Sequence, residues 1–232
     1  MIILGIDTAT SQAGCALGGH EGVIALAQIA KGRRHAENLV PAIEFICKQA
    51  QVELSEIGAI AVDLGPGLFT GMRVGIATGK AMAHALRVPM IGVPSLDLVA
   101  FAVRFSPRLI VSAIDARRSE LYYALYRQVP GGVQRLGEYR VGSPDDLVSD
   151  LSARREELLL VGDGIHRYRA QFETLSKAEI ADAGFSSPSA ASLVQLAHAK
   201  ALREEFEQPS ALEPIYLRKP DAEINWVTRE NG

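Results

Sequence analysis

Two segments of the sequence carry residue types and spacings that suit phosphate binding. The first is a hydroxyl-rich turn that follows a short apolar run and contains Asp7, Thr8 and Thr10. Turns of this kind hold phosphate with backbone N–H groups and hydroxyls. An aspartate with neighbouring hydroxyls also satisfies the backbone of an ordinary β-hairpin, so both interpretations stay open.

The second segment is a glycine loop between a predicted strand and a predicted helix. Its residues with anion-binding potential are Gly65, Gly67, Thr70, Gly71 and Arg73. Unpaired N–H groups and the positive end of the helix dipole meet at a helix start, which favours an anion. The loop lacks the Walker lysine–hydroxyl pair and the dinucleotide glycine spacing. Alternatively, the glycines allow strand and helix to pack closely.

The predicted helix after this loop carries a glycine ridge, Gly71, Gly75 and Gly79, at intervals of four residues. A glycine inside a helix costs about 1 kcal/mol relative to alanine, so three of them predict that something approaches the helix backbone closely. The approaching element is either the protein's own sheet or a helix of a partner subunit. The sequence does not choose between the two.

The histidine and cysteine positions predict no metal site and no nucleophile. No two of the five histidines are three or four residues apart, so no helix offers a pair of imidazole ligands. The motifs H-E-x-x-H, C-x-x-C and G-x-S-x-G do not occur. His35 and Glu37 are the one notable combination, and their place at a helix start is typical of solvent-facing residues. We therefore predict no catalytic residues, no metal and no cofactor bound by this chain alone.

Two further segments lie in the second half of the chain. Residues 115–119 occupy the place of a second phosphate hairpin, where glycine would let the backbone pass close to phosphate. Alanine and two arginines stand there instead, which indicates a solvated basic turn or a rebuilt anion or partner surface. Residues 162–164 (Gly-Asp-Gly) are suited to lining a nucleoside pocket, although strand-to-helix turns commonly have this composition.

Hydrophobic periodicity predicts the elements that position these segments in the first half, in the order βββαβαβα. Strands are predicted over 2–6, 14–17, 23–30, 58–64 and 88–93. Helices are predicted over 35–50, 70–86 and 96–104, the last with Ser95 as N-cap.

The second half repeats the antiparallel opening, with strands predicted over 109–114, over 120–127 and through Arg135. A strand over 158–161, a final helix over 189–205 and an extended tail from Pro209 follow. Two halves of this kind predict an α/β protein with two related lobes and a cleft between them. We predict an N-terminal lobe over 1–106 and a smaller C-terminal lobe, with the final helix and tail, over 107–232.

The composition indicates which cellular compartment the protein occupies and which ligands are disfavoured. A chain of 232 residues with 48% hydrophobic content can fill a core without disulfides. Because the amino terminus has no basic segment before its apolar run, we expect neither a signal peptide nor a membrane span. Cys15 and Cys47 lie in apolar surroundings and are expected to be reduced in the cytoplasm. A net charge of −3 does not favour direct RNA binding by this chain.

Five segments together resemble the bacterial TsaB family, also called YeaZ. The specific one is G-P-G-x-[FY]-T-G-x-R-x-G, which stands here at 65–75. The others are I-L-G-I-D-T-A-T at 3–10, R-H-A-E at 34–37, I-D-A-R at 114–117 and E-P-I-Y-L-R at 213–218. The resemblance covers nearly the whole chain.

The resemblance implies a two-lobed actin-like, sugar-kinase-like ATPase fold with ribonuclease H-like lobes and a reduced second lobe. It also implies a role in the N6-threonylcarbamoyl modification (t6A) of adenosine 37 in tRNAs that read codons beginning with A. In this family the transferase TsaD is the catalytic subunit and holds a metal through a histidine pair. TsaB looks like its noncatalytic paralogue, a pseudoenzyme.

The resemblance further implies particular partners. A member of this family binds TsaD through a helix-to-helix interface, is joined by the ATPase TsaE, and often forms a homodimer when alone. ATP and metal are expected on the partner subunits, and tRNA is expected to be met only through the complex. From helical spacing we predict that the partner-binding residues lie on the first two helices and are His35, Leu39, Ile43, Gly75, Gly79 and Met82.

Two other functions stay open. An independent actin-type small-molecule kinase or ATPase would use Asp7 and the glycine loops, but it would need a glycine-bearing second phosphate hairpin, which residues 115–119 do not supply. A metallopeptidase would need a set of metal ligands that the histidine spacing does not provide.

Overall fold

The computed structural model describes residues 1–30 and 35–218, with side chains from Glu37 onward in the second range. Within these ranges the strands are Ile2–Asp7 (β1), Ala13–Gly19 (β2), Gly22–Ile29 (β3), Ile57–Asp63 (β4), Met90–Val93 (β5), Leu109–Arg117 (β6), Glu120–Val129 (β7), Gly132–Gly142 (β8), Leu158–Val161 (β9) and Ala178–Ile180 (β10). The α-helices are His35–Ala50 (α1), Phe69–Leu86 (α2), Ser95–Ala102 (α3), Pro144–Ser152 (α4), Asp163–Arg167 (α5), Arg169–Phe172 (α6) and Ala190–Ala201 (α7). No helix in these ranges is long and apolar enough to cross a membrane.

The first sheet has the strand order β3-β2-β1-β4-β5. Its first three strands form an antiparallel meander, and β4 and β5 continue the sheet in parallel with β1. The predicted order βββαβαβα is therefore confirmed. Helices α1 and α2 cover one face of this sheet, where Leu39, Ile43 and Ile76 belong to a shared apolar core with the strands.

The second sheet repeats the arrangement, with the order β10-β9-β6-β7-β8 and an antiparallel meander of β6, β7 and β8. This confirms the predicted two-lobed α/β architecture. The prediction missed α4, α5, α6 and β10, and it ended β8 seven residues before Gly142. The three missed helices have 9, 5 and 4 residues, against 16 and 18 for α1 and α2, so the second lobe is reduced in its helices. It is not reduced in strands, because each sheet has five.

The two halves of the chain exchange one helix each. The last helix, α7, packs on the open face of the first sheet, where Leu193 joins a core cluster with Ile3 and Ile91. In return α3 packs on the second sheet, and Leu96 lies in a cluster with Ile110. The prediction that the final helix belongs to the second lobe was wrong, because α1 and α2 cover only one apolar face of the first sheet and α7 supplies the cover for the other.

The chain after α7 passes beside β5, beginning at its first residue, and reaches the carboxyl end of β4; we call residues 207–218 the C-terminal strap. Glu207 pairs with Met90 of β5, and the Ile215 N–H donates to the Leu64 carbonyl over 2.8 Å. Arg218 then donates to Glu120 on β7 over 2.8 Å. The strap is therefore attached to both lobes and borders the predicted glycine loop.

Candidate functional site

Two aspartates end neighbouring parallel strands of the first sheet. Asp7 is the last residue of β1 and Asp63 the last residue of β4, and the register places Ile6 beside Val62 one position earlier. Both aspartates are only 2% exposed. The carboxyl ends of adjacent parallel strands thus bring two buried carboxyl groups together. We predicted Asp7 as a site residue but missed Asp63, whose one signal was a charged residue closing an apolar strand.

Each carboxyl group is held by donors from its own turn. Asp7 Oδ1 accepts from the Ala9 N–H over 3.1 Å, and Asp63 Oδ1 accepts from the Gly65 N–H over 2.8 Å. The Ser95 hydroxyl donates to the same Asp63 oxygen over 2.6 Å. Ser95 is therefore not the N-cap of α3 as predicted; Pro94 is the cap, and the serine side chain points to β4. Asp63 Oδ2 is buried without a hydrogen-bond donor.

Burial dominates the proton affinity of both groups. It raises the pKa of Asp7 from 3.8 to about 6, while the Ala9 N–H and the neighbouring Asp63 side chain act in the opposite direction. For Asp63, burial first and the charge of Asp7 second raise the pKa well above its ordinary value. The Ser95 hydroxyl and the Gly65 N–H lower it by less. Two carboxylates in such a position repel each other, and at least one favours its neutral form.

The predicted phosphate turn and the predicted glycine loop lie directly against each other. The Leu68 N–H donates to the Ala9 carbonyl over 2.6 Å, and Thr8 Oγ1 donates to the Gly71 carbonyl over 2.7 Å. A Cβ built on Gly67 or Gly71 would lie well under 3.0 Å from a carbonyl oxygen of this turn, which no real side chain tolerates. The glycines therefore serve close packing, which was the alternative left open by the sequence.

The remaining predicted phosphate residues have other contacts or face solvent. Thr10 Oγ1 accepts from the Gln12 N–H over 3.3 Å, and Thr70 is exposed in the first turn of α2. Arg73 donates to the Tyr216 hydroxyl over 2.9 Å, and its guanidinium lies 3.9 Å from the centre of the Phe69 ring. The structure thus brings Asp7, Thr8 and the glycine loop together and turns Arg73 toward the C-terminal strap.

Four predicted partner-binding residues face the protein's own core. Leu39 and Ile43 are 2% and 3% exposed. A Cβ on Gly75 would lie well under 3.0 Å from Thr8 Oγ1, and one on Gly79 would lie 2.5 Å from Val62 Cγ1. The prediction that these residues contact a partner was wrong, because the ridge and the apolar stripe are the sides of α1 and α2 that pack on the first sheet.

Met82 is half-buried against the same core, and the His35 side chain lies outside the described residues. The opposite sides of these two helices expose apolar residues instead. Val40 and Phe45 on α1 are 49% and 57% exposed, and Ala77 and Ala81 on α2 are exposed. We call these four residues the outer face. The signal that could have found it is the set of apolar residues outside the predicted inward stripe.

The second lobe carries a related but charge-paired turn. The Asp115 N–H donates to Asp163 Oδ1 over 2.9 Å, and Asp115 Oδ2 lies 3.2 Å from Arg117 and 3.5 Å from Arg167. Three successive residues without glycine, 117–119, have φ of 64°, 54° and 60°. A Cβ on Gly162 would lie well under 3.0 Å from the Ala113 carbonyl oxygen, so this glycine packs on β6. Arginines therefore neutralise the turn where a second phosphate hairpin was considered.

Titratable side chains gather in no metal-binding set within the described ranges: no group of three or more His, Cys, Asp or Glu side chains has a suitable arrangement there. His20 and His198 are neighbours, with ring centres 6.3 Å apart, and His20 follows the part of β2 that pairs with the start of β1, whereas the glycine loop lies beyond its end. What the carboxyl ends of β1 and β4 offer chemically is a buried carboxyl pair that is held by backbone N–H groups.

Comparison with known proteins adds a consistent set of relatives. The family model for TsaD, tRNA N6-adenosine threonylcarbamoyltransferase, matches residues 28–226. An uncharacterized protein of Mycobacterium leprae is 34% identical over 99% of this chain, which spans 58% of that relative's length. The tRNA threonylcarbamoyladenosine biosynthesis protein TsaB of Bacillus subtilis is 28% identical over 98% of both chains. The structure of YeaZ from Pseudomonas aeruginosa superposes with a TM-score of 0.81 at 27% identity, covering 93% of this chain and 99% of that one.

Proposed function

This chain belongs to the TsaB (YeaZ) family, a branch of the family matched by the TsaD transferase model, and on that premise we propose that it takes part in tRNA threonylcarbamoyladenosine biosynthesis. In this proposal it is a noncatalytic activator that is required for threonylcarbamoyl transfer to adenosine 37 of tRNAs reading ANN codons. It acts by binding a catalytic subunit of the TsaD type, with the ATPase TsaE as a further partner. Transfer RNA is met only through the complex.

The observation that carries the binding role is the outer face of α1 and α2. Phe45 leaves more than half of its side chain in water, and Val40 on the same helix is nearly as exposed. Covering such a large apolar side chain with a partner is favourable, by roughly 1.5–3 kcal/mol for a side chain that becomes fully buried. The exposed Ala77 and Ala81 add little bulk, so a partner helix can approach α2 closely.

The carboxyl pair supports the noncatalytic part of the proposal. In the competing function, a small-molecule kinase or ATPase, the turn after β1 must offer free donors to phosphate. Here the Ala9 N–H and the Thr8 hydroxyl are both used inside the chain. Two buried carboxyl groups beneath them also disfavour a second anion. A nucleotide-binding titration of the isolated chain is the direct measurement that separates the two functions.

Sedimentation velocity of the chain, with and without the TsaD-type subunit of the same organism, tests the proposal together with a tRNA-modification assay on the same samples. We expect a complex in equal proportions and modification only when both proteins are present. Replacing Phe45 by glutamate should weaken the complex by at least tenfold, because interface anchors of this kind cost about 2 kcal/mol or more when lost. The chain alone is expected to sediment as a dimer that uses the same face.

Phe105→Glu is the matched control, because Phe105 is 75% exposed and follows α3, which packs on the other lobe. This variant should bind the partner and support modification like the wild type. If no complex forms with the wild-type chain and the chain alone turns over ATP, the accessory role is refuted. If the complex forms but Phe45→Glu binds unchanged, the role stands and the outer face is the wrong surface.

A further inference from the structure

The two carboxyl groups at the ends of β1 and β4, those of Asp7 and Asp63, include one buried oxygen that lacks a hydrogen-bond donor. Oδ1 of Asp7 and Oδ1 of Asp63 are each occupied by donors of their own turns. Asp63 Oδ2 is buried and faces no N–H or O–H donor. The neighbouring group is the carboxyl of Asp7, which as a carboxylate is also only an acceptor. A bond between the two side chains therefore requires a proton.

No basic side chain in the described part of the chain compensates these acids. The titratable groups on the elements packed around them have other partners. Arg73 of α2 donates to Tyr216, and Asp97 of α3 accepts from Tyr126 and Tyr139. Lys200 donates to the Gly92 carbonyl, Glu207 of the strap accepts from the Gly92 N–H, and Cys15 of β2 lies in the apolar core. His198 of α7 stands beside His20. An ionised pair at this position would thus hold two uncompensated charges out of water, an arrangement that buried sites avoid by retaining a proton.

We propose that Asp7 and Asp63 hold one proton between them at neutral pH and that this shared proton fastens the β1 turn to the glycine loop of α2. Asp63 carries the proton and donates it from Oδ2, while Asp7 accepts it as the carboxylate. The pair joins the ends of two strands that bear the Thr8 and Gly65 turns, so it lies at the base of the contact between them. The proposal concerns this chain by itself and does not depend on the partner assigned above.

The raised pKa values agree in direction with this assignment. With the pKa of Asp7 at about 6 and that of Asp63 well above its ordinary value, the folded pair keeps one proton between about pH 6 and the higher pKa. Unfolded aspartates have both lost their protons in this range, since their pKa is about 3.9. A raised folded-state pKa stabilises the fold at low pH, and this stabilisation is lost as pH rises. Each pH unit between about 6 and the higher pKa should therefore raise the unfolding equilibrium constant by about tenfold through this one proton.

Asp63→Asn tests the proposal, since the amide keeps an acceptor for Gly65 and Ser95 and replaces the proton by an N–H donor toward Asp7. Urea unfolding curves of wild type and variant are measured at pH 6, 7 and 8. We expect the unfolding constant of the wild type to rise about tenfold per pH unit more steeply than that of the variant. Asp145→Asn, at an exposed position in the first turn of α4, is the control and should keep the wild-type slope.

Equal slopes in wild type and Asp63→Asn would overturn the proposal. Carbon-13 NMR of aspartate carboxyl groups in the wild-type chain gives a second measurement that needs no variant. Two carboxyl resonances should keep changing above pH 5. Replacing Asp7 by asparagine should remove one of them and lower the titration midpoint of the other, because the charge of Asp7 raises the pKa of Asp63. If every aspartate resonance in the wild type has finished titrating below pH 5, no shared proton exists.

Discussion

Replacing Gly71 by alanine should lower the free energy of unfolding, because the methyl group would enter the contact between α2 and the turn after β1. A Cβ at Gly71 would lie well under 3.0 Å from the Thr8 carbonyl oxygen. This oxygen belongs to the backbone, and Thr8 is also held through its hydroxyl by the Gly71 carbonyl, so neither side can yield locally. Overpacking of this kind costs about 1–3 kcal/mol, and alanine returns up to about 1 kcal/mol through its helix propensity. We expect a net loss of about 1–2 kcal/mol.

Urea unfolding and thermal unfolding followed by circular dichroism measure this loss. For a chain of this length, the midpoint temperature should fall by about 2–8 °C. Gly184→Ala is the matched control, since a Cβ there meets no atom within 4 Å, and its stability should stay within about 0.5 kcal/mol of the wild type. A Gly71→Ala variant that is as stable as the wild type would show that α2 does not approach the turn this closely. Partner binding by the folded variant should be unchanged, because the methyl group points away from the outer face.

Two further predictions test other parts of the packing. Leu39→Ala should lower the free energy of unfolding by about 2–5 kcal/mol, because Leu39 is 2% exposed in the core beneath α1. Val40→Ala, on the outer face, should lower it by less than about 0.5 kcal/mol. Similar losses for the two variants in urea titrations would mean that the inward side of α1 is misassigned. Tyr126→Phe should cost about 1.5–3 kcal/mol, because the buried Tyr126 hydroxyl donates to Asp97 over 2.7 Å. Tyr216→Phe removes a hydroxyl from an exposed pair with Arg73 and should cost less, and the reverse order would contradict the model of α3 packing.

The sequence predicted the strands and helices of the first lobe well, but it did not predict which side of each helix packs on the sheet. The bounds of α1 follow from the apolar positions at intervals of three and four, because that spacing is a property of the helix alone. Which apolar residues face a partner depends on where the sheet lies. Leu39 and Val40 are adjacent and both apolar, yet one is in the core and the other in water. The glycine ridge likewise predicted that some group approaches the α2 backbone closely, but it did not identify Thr8 and Val62 as those groups.

One of the two buried aspartates of the candidate site could be predicted from the sequence. Asp7 stood out because a turn rich in hydroxyls follows it, whereas the turn after Asp63 contains glycine and proline and no hydroxyl before Thr70. Only the parallel register of β1 and β4 makes the two carboxyl groups neighbours, and strand register depends on contacts between distant segments. The three short helices of the second lobe were missed for a related reason. Pieces of four to nine residues show too few turns for a helical period to be recognised.

The exchange of α3 and α7 determines when during synthesis the first lobe can become complete. Its last strand ends at Val93, but the helix that covers its open face begins at Ala190. A ribosome adding about 5–20 residues per second needs roughly 5–20 s to make the intervening chain. During that interval Ile3, Ile91 and their neighbours lack their final cover, and a nascent chain is open to chaperones and to aggregation. A fragment that stops after the first sheet should for the same reason fail to fold by itself, however regular its own strands and helices are.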